Sequence, residues 1–179
     1  MKKTLFSIVT IALLSLSSIF TCNAQLLIQD GAVGSKFIDF NAKKVDIKDA
    51  KNDGVETTLG EYVAQGKPLI VDFWASWCGP CRREIQNFLS VYAPEYAGKV
   101  NFLGVAVWEE SVENTKEAMA ALPISWPVII AGDRQAGPTK QYGIKGIPHI
   151  MLIGKDGIIK ARNIRGEAIK EAIEAELKK

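Results

Sequence analysis

Cys78 and Cys81 are separated by two residues in Trp77-Cys78-Gly79-Pro80-Cys81, and this spacing is the chain's clearest chemical signal. Two thiols set about one helical turn apart can exchange with a disulfide: one attacks as a thiolate, and the other displaces the mixed disulfide that forms. As a purely structural staple the pair would do little, because a bridge over two intervening residues removes little entropy from the unfolded chain. As a zinc site it is short of ligands. Zinc wants about four, and outside the pair the chain offers only His149 and Cys22. No metal site is expected.

The elements around the pair must hold it in place. Leu69-Ile70-Val71-Asp72-Phe73-Trp74 is almost continuously apolar, β-branched or aromatic, which predicts a strand buried on both faces. A helix is expected from about Cys81, with Ile85, Phe88, Leu89 and Tyr92 at three- and four-residue steps and with Pro94 and Gly98 marking its end. A strand-to-helix junction puts Cys78 at the helix N-terminus, where backbone N–H groups lack intrahelical partners and favour a thiolate. In such sites the reactive thiol has a pKa near ~7, against about 8.5 for a free cysteine. Cys78 is therefore the expected nucleophile and Cys81, one turn deeper, the resolving residue, the two forming a disulfide when oxidised. Asp72 is the one charge in the strand. If buried, its pKa rises and it can carry a proton near neutral pH; a solvated or capping aspartate is the alternative.

The rest of the chain supplies a frame. Residues 25–66 are polar and turn-rich, with the short apolar piece Phe37-Ile38-Asp39-Phe40 and the turn candidate Asn52-Asp53-Gly54, and are expected to form a small β-rich extension ahead of a core over 67–179. Val100–Val107 reads as a buried strand, Val112–Leu122 as a helix and Val128–Ile130 as a short strand. Pro148–Ile153 and Ile158–Arg162 read as two antiparallel strands, because Asp156-Gly157 between them is a hairpin signal. Ile169, Ile173 and Leu177 recur four residues apart and can form one buried stripe of a last helix. Strands alternate with helices, so the expected fold class is α/β. With 179 residues, 47% hydrophobic and 23% charged, there is apolar material for one globular core and not for two.

The N-terminus reads as an export signal: Met1-Lys2-Lys3, an uncharged run from Leu5 to Phe20, and small or polar residues through Ala24. The run is too short and too serine-bearing for a permanent anchor, and cleavage after Ala24 is expected. Lipoprotein processing at Cys22 is the alternative. The signal holds two lysines and no acid, so the mature chain would carry 22 − 2 = 20 basic against 20 acidic residues. That balance gives no reason to expect nucleic acid or an anionic membrane surface as a partner. Without Cys22, the mature protein keeps only the Cys78/Cys81 pair, in a compartment where disulfides persist.

Taken as a block, Phe73-Trp74-Ala75-Ser76-Trp77-Cys78-Gly79-Pro80-Cys81 closely resembles the active-site segment of thioredoxins. Tyr142-Gly143-Ile144-Lys145-Gly146-Ile147-Pro148 resembles the cis-proline segment of the same superfamily. Over residues 55–178 the chain resembles the thioredoxin superfamily, in particular its exported TlpA/ResA-like branch. That resemblance implies a thioredoxin-like fold, a central mixed β-sheet flanked by helices, with the extension covering one sheet edge. It implies a redox-active disulfide and no further cofactor, with Trp77, Gly79 and Pro80 as parts of the motif. Ile147 would offer backbone hydrogen bonds to an extended substrate beside a cis Pro148, a trans-proline opening a strand being the alternative. Asp72 would accept the Cys81 proton during resolution. Glu84 matches the acid of a Cys-Arg-x-Glu segment, with a solvated helix-face glutamate equally open. His149 would border the site as a modulator or simply pack in its strand. Gln86 departs from the branch, many of whose members carry a helix-bending proline at that point.

The activity so implied is thiol:disulfide exchange in the periplasm, reducing disulfides of exported proteins with electrons from a membrane thiol:disulfide donor, by a protein expected to act as a monomer. A disulfide oxidase or isomerase would use the same sulfurs. A copper-delivery module would need His149 to close a metal site with the cysteines. A peroxidase fits poorly, since Ser76 and Trp77 precede Cys78 where peroxiredoxins resemble Pro-x-x-x-Thr-x-x-Cys. A redox-inert scaffold remains a further alternative, because one fold can host several roles.

Overall fold

The structure, a computed structural model, describes residues 31–132 and 137–179. The export signal expected over residues 1–24, and Cys22 with it, lies outside the described residues. In chain order the elements are β1 (Asn41–Val45), β2 (Glu56–Thr58), α1 (Leu59–Val63), β3 (Leu69–Trp74), α2 (Gly79–Glu84), α3 (Ser90–Glu95), β4 (Asn101–Ala106), α4 (Val112–Ala121), β5 (Val128–Ile130), α5 (Pro138–Gln141), β6 (His149–Ile153), β7 (Ile159–Ile164) and α6 (Glu167–Leu177).

The apolar runs take the middle of a seven-stranded sheet of order β2-β1-β5-β4-β3-β6-β7. β3 pairs parallel with β4, and β4 parallel with β5, while β6 lies antiparallel to β3 and β7 antiparallel to β6. The sheet is thus mixed and flanked by helices, a thioredoxin-like fold. β1 runs antiparallel to both β5 and β2, so the extension occupies the edge that β5 would otherwise expose.

Alternate side chains of β3 serve opposite faces of the sheet. Ile70 and Trp74 join Cys81, Ile85, Leu89, Ile150, Leu152, Ile169 and Ile173 in one core, whereas Leu69, Val71 and Phe73 join Leu59, Tyr62, Leu103, Val105 and Met151 in the other. α2, α3, α4 and α6 cover the first face, and α1 lies on the second. Each large aliphatic or aromatic side chain so buried contributes about 1.5–3 kcal/mol. Gly104 serves close approach: a Cβ there would lie 3.1 Å from the Trp74 indole nitrogen and 3.2 Å from Val128 Cγ2.

The helix after the cysteines differs from the periodic one that the sequence predicts. It starts at Gly79, with Pro80 in the first turn, where the missing N–H has no intrahelical role. It then widens into a π turn at Ile85–Leu89, the Ser90 N–H reaching the Ile85 carbonyl five residues back. Gln86 sits inside this turn, and its carbonyl accepts the Ser90 hydroxyl at 2.8 Å. The irregularity therefore includes Gln86 and forms without a proline. Pro94, expected to end the helix, lies inside α3, and Gly98 follows at φ +79°. α1 and α5 were not predicted; at five and four residues they are too short to show a period. In α6, Ile169 and Ile173 are buried but Leu177 is exposed, so the stripe ends a turn early.

Candidate active site

The chain leaves β3 at Trp74, passes Ala75-Ser76-Trp77, and enters α2 with Cys78 as its N-cap. Cys78 and Cys81 are joined by a disulfide. The Cys78 sulfur accepts the Cys81 N–H at 3.2 Å, so one of the unpaired donors of the helix start already points at it. Cys78 is 4% exposed and Cys81 0%. Only the first sulfur has any contact with solvent, the asymmetry that an attacking and a resolving thiol require.

Asp72 lies on the face of β3 that α2 covers, in register with Gly104 on one side and Ile150 on the other. It is buried, and neither carboxyl oxygen has a hydrogen-bond partner. Desolvation, reinforced by the charge of Glu84 and opposed by that of Arg165, pushes its pKa up to about 8 from an ordinary 3.8. An unpaired buried carboxyl is costly as an anion, so this group is poised to hold a proton near neutrality and to release it slightly above.

Glu84, three residues beyond Cys81, is also buried. Its Oε1 accepts the Gly166 N–H at 2.6 Å, tying α2 to the start of α6. Gly166 has φ +56°, a conformation that suits glycine.

The Ile147–Pro148 peptide is cis. Pro148 is buried and Ile147 half-buried, the latter packing against the cluster that contains both cysteines. The Pro148 carbonyl accepts a short hydrogen bond from Arg165 Nη2. His149 does not border the sulfurs. It pairs across the ladder with Phe73, whose side chain belongs to the opposite core, and the two rings meet edge-on at 6.4 Å. Burial and the charges of Arg162 and Arg165 push the His149 pKa down to about 4, so the imidazole is neutral at neutral pH. Lying on the far face of the sheet, it does not close a metal site with the cysteines. Among the described residues no group of three or more His, Cys, Asp or Glu side chains is gathered to hold a metal ion.

Trp77 is 51% exposed next to Cys78, and its indole N–H donates to the Trp108 carbonyl at 3.1 Å. Ser76, just before it, donates its backbone N–H to Glu109 Oε1 and its hydroxyl to Glu109 Oε2, both at 2.6 Å. Trp108, Glu109 and Arg165 were not singled out from the sequence. The position of Trp108 and Glu109 offered a signal, since the ends of parallel strands are where α/β sheets build their sites, and both follow β4 with only Val107 between; Arg165, just past the antiparallel β7, offered none.

A sheet that delivers a cysteine pair to the start of a helix in this way belongs to the thioredoxin-like class of redox proteins. Among solved structures, the chain is similar to the C-terminal domain of a putative thiol-disulfide oxidoreductase from Bacteroides thetaiotaomicron, with a TM-score of 0.70 and 25% identity over 83% of this chain and 97% of that one. The thioredoxin domain of a thiol-disulfide oxidoreductase from Bacteroides vulgatus gives a TM-score of 0.67 and 25% identity, covering 80% of this chain and 96% of that one. In sequence, the chain is 30% identical over 161 residues to the thiol-disulfide oxidoreductase ResA of Bacillus thuringiensis, spanning 89% of this chain and 82% of the relative. The Geobacillus kaustophilus ResA is 34% identical over 148 residues, with 82% and 76% covered. Residues 32–177 match the redoxin family. The chain belongs to the redoxin family and is a thiol-disulfide oxidoreductase similar to ResA.

Proposed function

We propose that this protein reduces disulfides in exported proteins of the cell envelope, using electrons from a membrane thiol:disulfide donor. The observation that carries the reading is the pairing of a Cys78 sulfur at a helix start with an unpartnered buried carboxyl, Asp72, on the same face of the sheet. The Cys78 thiolate attacks one sulfur of the substrate disulfide, forming a mixed disulfide and expelling the other substrate sulfur as a thiolate, which takes a proton from water. Cys81 then loses its proton to ionised Asp72 and attacks the Cys78 sulfur. The Cys78–Cys81 bond forms, the mixed disulfide breaks, and the second substrate sulfur leaves as a thiolate that takes a proton from water, so the substrate departs as a dithiol carrying two electrons. A donor dithiol runs the same steps in reverse on the oxidised protein, and protonated Asp72 then returns the proton to the departing Cys81.

Trp77, Gly79 and Pro80 shape the turn that presents the pair. Ile147, beside cis Pro148, offers backbone hydrogen bonds to an extended substrate segment, and Glu84 modulates Asp72 through its charge. His149, neutral and on the far face, acts by packing rather than by titration. The disulfide itself is the redox group, with no further cofactor. The leader-like N-terminus supports export to the periplasm through a cleaved signal, with a lipoprotein anchored at Cys22 as the alternative processing. The working unit is a monomer without nucleic-acid partners.

The test is covalent trapping in the producing cell. A Cys81→Ser variant should accumulate mixed disulfides through Cys78, and the trapped partners should include exported disulfide proteins together with a membrane thiol donor. A Cys78→Ser variant that keeps full activity in cells, or a Cys81→Ser variant that traps nothing, would remove the reading. A measured reduction potential near that of strong periplasmic oxidants would reverse the direction of electron flow.

A further inference from the structure

The step from β3 to α2 is irregular backbone, yet Ser76 and Trp77 within it are anchored by hydrogen bonds. Both oxygens of Glu109 accept from Ser76, one from the N–H and one from the hydroxyl, each at 2.6 Å, the short range of charge-assisted bonds. The Ser76 carbonyl accepts from Arg82 Nη1 at 3.2 Å. The Trp77 indole N–H is held by the Trp108 carbonyl at 3.1 Å. Trp108 has φ +59°, a sparsely populated region for a bulky residue that persists only where the surroundings over-determine it. Its own indole N–H donates to Thr139 Oγ1 at 3.1 Å. The turn after β4 therefore grips Ser76 through the Glu109 side chain and Trp77 through the Trp108 carbonyl, and Trp77 is the exposed aromatic beside the accessible sulfur.

We propose that Glu109 is a positioning residue for disulfide exchange: by clamping Ser76 it presets the Trp77 indole as a rigid docking surface for the polypeptide that flanks a substrate disulfide. The proposal rests on the reading that Cys78 attacks protein disulfides. An aromatic ring fixed before the substrate arrives does not have to be ordered on binding. A small disulfide that reaches Cys78 without covering the indole gains nothing from that order. The carboxylate suits the role because each of its oxygens accepts independently. A glutamine can keep both contacts, its oxygen accepting the Ser76 N–H and its amide N–H₂ donating to Ser76 Oγ, while losing the charge.

The experiment compares wild type, Glu109→Ala, Glu109→Gln and Ser76→Ala in turnover of insulin and of a small aromatic disulfide, with hydrogen exchange of the Ser76 amide measured alongside. Glu109→Ala should raise KM for insulin about three- to tenfold, the scale of ordering one side chain on binding, with kcat little changed. The rate with the small disulfide should stay at the wild-type value, and the Ser76 amide should exchange roughly tenfold faster or more, having lost a charge-assisted bond. Glu109→Gln should restore KM and amide protection. Ser76→Ala, which removes only the hydroxyl contact, should fall between wild type and Glu109→Ala, and decides the matter if Glu109→Ala does not fold. An unchanged KM for insulin in a folded Glu109→Ala, a parallel loss with both disulfides, or a Glu109→Gln as impaired as Glu109→Ala would overturn the proposal. A wild-type protein that does not turn over insulin at all would instead remove the exchange reading and the proposal with it.

Discussion

Replacing Asp72 by Asn should make the oxidised protein more stable at neutral pH, although it removes a residue from the centre of the site. The native carboxyl titrates near 8 against an ordinary 3.8. Between these values the folded state binds a proton that the unfolded state has released. The sign follows from linkage. A folded-state pKa above the unfolded one leaves stability intact below the unfolded value and erodes it as pH rises through the folded value. From 3.8 to pH 7 is about three units, and at roughly 1.4 kcal/mol per unit the erosion at pH 7 is about 4 kcal/mol. Asn carries no charge and avoids this cost. Its amide would be buried without partners, as the two Asp72 oxygens are, so part of the gain is lost and about 2–4 kcal/mol should remain. Urea unfolding of the oxidised wild type and Asp72→Asn measures the difference directly. At pH 4, where the native carboxyl is also protonated, the variant should be level with wild type or about 2 kcal/mol below it; the difference should move in favour of Asn as pH rises toward 8 and level off above. A gap that stays constant with pH, or a variant less stable than wild type at pH 7, would refute the assignment of Asp72 as an unpaired buried acid.

Two further outcomes follow from the same geometry. His149 is the chain's single histidine, and with its pKa pushed down to about 4 its imidazole resonance should stay put from pH 8 to pH 5; a midpoint near 6.5 in a folded sample would mean that the ring is solvated. Gly104→Ala should cost about 1–3 kcal/mol in unfolding measurements, as overpacking does, because the added Cβ would press on the Trp74 indole nitrogen at 3.1 Å, and an unchanged stability would show that the indole can move aside.

What could be read in advance was what local chemistry controls. The β3 run announces a strand buried on both faces, and Asp156-Gly157 announces the β6–β7 hairpin, because each depends on residues adjacent in the chain. Cys78 and Cys81 were legible for the same reason. What depends on distant partners was not. The burial of Glu84 follows from its bond to Gly166, 82 residues away, and nothing in Cys-Arg-Arg-Glu distinguishes a buried glutamate from a solvated one. His149 stayed open between bordering the site and packing in its strand because adjacency to Pro148 in sequence says nothing of the sheet face; the register with Phe73 favours packing. The π turn at Ile85–Leu89 escaped because Ile85, Leu89 and Tyr92 satisfy an α period equally well. Glu109 escaped because a glutamate after a strand is the commonest kind of surface residue until Ser76 is seen against it.

The two borders of the described sheet bear on whether a foreign strand can add to it. On one side the last strand is β2, three residues long, carrying Glu56 paired to Lys43 at 3.4 Å. On the other, β7 has two register shifts and Asn163 at φ +54°, and its first residues are already bonded to the segment Gly34–Phe37. Among the described residues neither border offers a long, flat, uncharged ladder onto which a foreign strand could add. The two edges of the described sheet are thus poor templates on which a second chain could stack edge to edge.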